Sequence, residues 1–128
     1  MLLFLMVACS DGGSDSEGAP TLELLSPHDG DTVCGTPLVV EARVTNFTLT
    51  NEDIEDPPPG IGHLHVYLNG QEVAQAGQET VEINDVNDGD YQLKCDLALA
   101  NHDALVPYVG TDPIYITVDA KACWATKP

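Results

Sequence analysis

The chain has 128 residues, with 21 Asp or Glu against 4 Lys or Arg and a formal net charge of −17. That length allows one domain rather than two, and gives little room for a deep catalytic cleft. The cations Arg43, Lys94, Lys121 and Lys127 are too few and too dispersed for a basic stripe, which excludes nucleic acid as a partner, while the acidity suits solubility and attraction of cations.

Residues 1–8, MLLFLMVA, form an apolar run ending in small Ala8 and followed by Cys9. A spanning helix needs about 20 residues, so the run fits the apolar region of a secretion signal instead. Leu5-Met6-Val7-Ala8-Cys9 resembles the bacterial lipobox, although Met6 stands where Leu is usual and no Lys or Arg precedes the run. The resemblance implies a signal peptide over residues 1–8, cleavage before Cys9 and attachment of lipid to its sulfur. Residues 9–20 then contain almost nothing to bury and read as a flexible tether. Ser10 after the cysteine, rather than Asp, points by the enterobacterial sorting pattern to the outer membrane or cell surface rather than the inner membrane. The first partner expected is therefore the membrane, through the N-terminal lipid.

Residues 21–120 read as one domain of short strands, with residues 121–128 as a C-terminal tail. Leu22 and Leu24 alternate, and Ser26-Pro27-His28-Asp29-Gly30-Asp31 breaks that strand. Leu38, Val40, Ala42 and Val44 then share one face, with Glu41, Arg43 and Thr45 on the other. Residues 51–60, NEDIEDPPPG, form an acidic loop that its prolines keep extended. His63 to Leu68, Asn69-Gly70 and Gln71 to Val73 predict a hairpin, because Asn-Gly tolerates the positive φ of a tight turn. Val81 and Ile83 mark another strand, Tyr91 to Leu99 a strong alternating one, and Ile114, Ile116 and Val118 the last. About seven strands at this spacing predict an all-β, antiparallel sandwich.

Asp88-Gly89-Asp90-Tyr91-Gln92-Leu93 resembles the entry to the sixth strand of bacterial immunoglobulin-like domains. The resemblance implies an immunoglobulin-like β-sandwich, with the Tyr91 hydroxyl returning to the preceding turn as a tyrosine corner. The tryptophan usual on the third strand is missing, Trp124 being the one tryptophan of the chain.

With Cys9 lipidated, Cys34, Cys95 and Cys123 remain, an odd number. One disulfide and one free thiol are expected outside the cytoplasm. In an immunoglobulin-like topology Cys34 and Cys123 fall at the same end, which favours that pair while leaving the other two pairings open. Cys95 is in register with Leu93 and Leu97 and is expected in the core.

His63 and His65 are two apart on a strand, so both point to the face opposite Leu64, Val66 and Leu68, together with Tyr67. Lys94, Asp96, Ala98 and Ala100 are expected to face outward on the later strand, and His102 continues that set. If these two strands are antiparallel neighbours, His63, His65 and His102 meet at one end of one sheet face, near Asp103 and the acidic 51–56 loop. Three imidazoles suit copper or zinc. His28, in an early turn, is expected at the other end. The segments Ser26 to Val33, Gly62 to Tyr67 and Asn101-His102-Asp103 look like those of small, uncharacterised exported bacterial domains with a Gly-His-x-His strand, over about residues 22–119. His-x-His is also found in copper-zinc superoxide dismutase, but neither its later histidine ligands nor its active-site arginine has a counterpart here.

No nucleophile elbow, phosphate loop or Walker-type lysine is present, and Ser26 is the last serine of the chain. Asp85–Asp90 lacks the spacing of a calcium loop and reads as a solvated turn. The expectation is thus a lipid-anchored envelope binding module without catalytic activity, serving a protein or envelope partner. The alternative is a copper or zinc protein using His63, His65 and His102; no other cofactor is indicated.

Overall fold

The computed structural model describes residues 18–125. The signal run, Cys9 and the tether up to residue 17 lie outside the described residues. The strands are β1 (Thr21–Ser26), β2 (Thr32–Val33), β3 (Leu38–Thr45), β4 (Thr48–Leu49), β5 (Ile61–Leu68), β6 (Gln71–Ala76), β7 (Thr80–Ile83), β8 (Gly89–Leu99) and β9 (Ile114–Val118). A short helix, α1 (Ala122–Ala125), follows. One sheet has the order β1-β3-β7. The other runs β2-β9-β8-β5-β4, and β6 pairs with a further stretch of β5. The long pairings are antiparallel, while two-residue β2 and β4 pair in parallel with β9 and β5. Among the described residues, nine strands thus replace the expected seven. The additions are β2 and β4, too short for any alternation to mark them.

The period-2 patterns explain the sandwich. Leu38, Val40 and Ala42 of β3 face Leu64, Val66 and Leu68 of β5 and Leu93, Cys95 and Leu97 of β8 across one core, completed by Val81, Ile83, Ile116 and Val118. Each such side chain removed from water stabilises the fold by about 1.5–3 kcal/mol. The β5–β6 hairpin turns on Asn69 and Gly70, with φ of 54° and 80°. Asn and Gly tolerate that left-handed geometry, which matches the strands' twist. The Tyr91 hydroxyl donates to the Asn87 carbonyl at 2.8 Å, forming the expected corner. Cys34 and Cys123 form a disulfide, and Cys95 is free and buried.

The outward set on β5 and β8 is not solvated: His63, His65, Asp96, Ala98 and Ala100 are all buried. The 50–54 loop is laced to the sheet by Thr50 N–H to Gly62 O (2.8 Å) and Ile54 N–H to Ala100 O (3.1 Å). The segment between β8 and β9 runs along the upper edge of β8, bonded by Leu97 N–H to Val109 O (3.0 Å) and Leu99 N–H to Asp103 O (2.8 Å). Tyr108, from that segment, reaches the Asp96 carboxylate. A sheet whose pattern reads one-sided is therefore covered on both sides at this end.

Candidate metal centre

β5 and β8 run antiparallel with His63 opposite Ala98 and His65 opposite Asp96. Their approach depends on Gly62, where a Cβ would run into the Ala98 carbonyl. His102 enters that end of the face from the turn after β8, where it holds φ at 75°. Its N–H bonds Leu99 O at 2.7 Å, and Asn101 Oδ1 accepts the Asp103 N–H at 3.0 Å, so the turn is closed on both sides. The His102 ring centroid lies 4.9 Å from that of His63 and 5.8 Å from that of His65.

The His63 proton can be assigned from its partner. Nδ1 lies 2.8 Å from the Thr50 carbonyl, which can only accept, so Nδ1 carries the hydrogen and Nε2 presents a lone pair. That Nε2 is buried and has no hydrogen-bond partner. Asp53 Oδ1 nevertheless sits 3.3 Å from it, and 3.0 Å from His102 Nε2. A lone pair facing a carboxylate oxygen is unfavourable unless a proton or cation lies between them. Two ligands on one tetrahedral zinc ion lie roughly 3.3 Å apart, given Zn–N lengths of about 2.0–2.1 Å. Ligand atoms of Asp53, His63 and His102 all lie within 4.8 Å of one another.

His65 is a neighbour of this trio rather than a member of it. Its Nδ1 is ringed by oxygens: Tyr67 Oη at 3.4 Å, Glu72 Oε1 at 3.5 Å and Asp96 Oδ1 at 3.8 Å. Its Nε2, like that of His63, is buried without a partner. Burial holds the His65 pKa below the ordinary 6.5 despite the opposing pull of Glu72 and Asp96, with His102 and His63 adding to the depression. Burial, and then the Asp96 charge, push the hydroxyl of Tyr67 up to about 12. Burial and the hydrogen bond to Asp96 do the same for Tyr108.

Of the histidines expected to converge, His63 and His102 do so within ligand range and His65 stands beside them. His28 stays in its turn, its ring 3.6 Å from Asp31. Asp103, expected nearby, bonds Asn101 instead. The residue that sequence reasoning did not single out is Asp53. Nothing local separates it from Glu52, Glu55 or Asp56; its place follows from the lacing of the loop to the sheet end. Cys95 points away from this face into the core, where burial pushes its thiol up to about 12.

No family model matches the chain, and no curated protein matches it. Among solved structures, a fibronectin(III)-like module of Clostridium thermocellum CbhA is similar at a TM-score of 0.53 and 14% identity, over 78% of this chain and 97% of that one. That likeness is one of fold: the chain is an immunoglobulin-like β-sandwich.

Proposed function

We propose that the protein is a non-catalytic binding module, lipid-tethered to the cell envelope through Cys9, that holds a copper or zinc ion at Asp53, His63 and His102 with His65 alongside. The observation that carries this reading is the pair of buried Nε2 atoms on His63 and His65, each without a hydrogen-bond partner, with the Asp53 carboxylate 3.3 Å from that of His63. An unpartnered buried polar atom costs about 1–3 kcal/mol, and a bound cation would remove that cost. Imidazole and carboxylate donors suit divalent copper and zinc, whereas monovalent copper favours sulfur. Among the described residues no cysteine or methionine reaches this face. The acidic surroundings favour entry of a cation. Attachment at Cys9 rests on the lipobox resemblance and would place the module at the outer membrane or cell surface.

Titration of the purified protein with copper(II) and with zinc(II), beside His63→Ala and Asp53→Ala, tests the reading. One equivalent bound by wild type, with at least tenfold weaker binding by His63→Ala, is expected. Equal weak binding by all three proteins would overturn it and leave a protein or envelope partner as the ligand of the module.

A further inference from the structure

Asp96 is the buried carboxylate on this face, and the proposed metal site gives it no task. It faces His65 across the β5–β8 ladder, and the segment after β8 returns to it through the bridge between Asp96 and Gly110. Its Oδ2 accepts the Tyr108 hydroxyl at 2.9 Å, and its Oδ1 accepts the Tyr67 hydroxyl at 3.4 Å. The Lys94 ammonium lies 5.6 Å from the Tyr67 ring centre and 5.8 Å from that of Tyr108, a cation above the carboxylate's two donors.

The direction of these bonds has a consequence. An ionised carboxylate only accepts, so the Tyr67 hydroxyl must spend its hydrogen on Asp96. The Tyr67 oxygen can then only accept from His65 Nδ1, 3.4 Å away. Nδ1 is thereby the protonated nitrogen, and the buried Nε2 keeps its lone pair, on a ring whose centroid lies 5.8 Å from that of His102. We propose that Asp96 is a positioning residue for the metal centre. Acting through Tyr67 and steadied by Tyr108, it holds His65 in the one tautomer that can serve as a third nitrogen ligand beside His63 and His102. The inference rests on the metal reading and adds a donor to it. Replacing Asp96 by Asn removes the constraint: the amide can donate to the Tyr67 oxygen, Tyr67 can then donate to His65 Nδ1, and the hydrogen moves to Nε2, where it blocks coordination. Glu72 Oε1 also lies 3.5 Å from His65 Nδ1, but at a more exposed position, and serves as the control.

The test is the nitrogen count around copper(II) in the full chain, read from superhyperfine structure in electron paramagnetic resonance, alongside the dissociation constant. Wild type and Glu72→Gln are expected to show three nitrogens. His65→Gln, Asp96→Asn and Tyr67→Phe should each show two, with copper bound at least about tenfold more weakly, as outer ligand-orienting partners generally cost. Tyr67→Phe deletes one hydroxyl and keeps the ring, so it remains informative if Asp96→Asn fails to fold. Three nitrogens in Tyr67→Phe, or two in wild type, overturns this inference while leaving the ion at Asp53, His63 and His102. Loss of the third nitrogen in Glu72→Gln but not in Tyr67→Phe also overturns it. Failure of wild type to bind copper or zinc overturns the metal reading itself.

Discussion

The two faces of β5 and β8 are made by alternate residues of the same strands, and at the end that carries His63, His65 and Asp96 both are shut off from water. The inner face, Leu64, Val66, Leu93, Cys95 and Leu97, is closed by the opposite sheet with carbon against carbon. The outer face, His63, His65, Asp96 and Ala98, is closed by a laced loop, a strained turn residue and two tyrosine hydroxyls. Burial alone stabilises the first. On the second, burial carries a penalty at each unsatisfied imidazole nitrogen, and hydrogen bonds offset it only in part. The contrast teaches where to look in such a sandwich: among covered residues, the polar set carries a cost that packing does not explain.

Four measurements would break or sharpen this contrast. The largest effect is expected on the inner face, where Leu64→Ala should lower the unfolding free energy by about 2–5 kcal/mol in a denaturant titration. A loss below about 1 kcal/mol would mean that the core is not the main support of the fold. Next, copper or zinc at a hundredfold excess over its dissociation constant should stabilise wild type by about 2.7 kcal/mol. His63→Ala should gain little, and equal gains would remove the outer face from consideration as a site.

A smaller effect is expected at His65 itself. Its pKa in the fold lies below the unfolded value of 6.5, so the unfolded chain takes up the proton first as pH falls. The stability tied to this group is present above that value and is lost as pH drops toward the folded pKa. The metal-free midpoint of His65→Met should therefore fall less steeply than that of wild type between about pH 7 and pH 5. At neutral pH the variant should be unchanged or up to about 1 kcal/mol more stable, since an apolar group replaces an unsatisfied one. A variant that is less stable and just as pH-sensitive would show the imidazole to be structural. The smallest effect is an absence: Cys95, its thiol pushed up to about 12 by burial, should resist alkylation at about pH 8 until the protein is unfolded. Rapid labelling of Cys95 in the native protein would show that the inner face is not closed.

Much of the frame was legible in the strand patterns. The alternation in Leu38 to Val44 and in Tyr91 to Leu99 points those side chains to alternate faces whatever the neighbours are. The Asn69-Gly70 turn and the Tyr91 corner are local devices that carry their own geometry, and both stand where the sequence places them. The Cys34–Cys123 bridge followed from assuming the topology, and the structure forms it. The candidate site was legible in part. His63 and His65 share a face by strand period, and antiparallel pairing of β5 with β8 brings His102 to them. Asp53 and the covering of the face were not legible, because they depend on backbone bonds between segments far apart in the chain.

From the sequence alone follow the all-β class, the shared face of His63 and His65 and the inward Cys95, since a period of two leaves no other arrangement once one face is apolar. Tertiary structure decided that the second face is also buried, that Asp53 rather than its acidic neighbours meets the imidazoles, and that His65 stands beside the trio with its Nδ1 turned to Tyr67. Those outcomes turn on contacts of a few ångströms between loops and a sheet end, set by how the whole chain closes and by no local pattern.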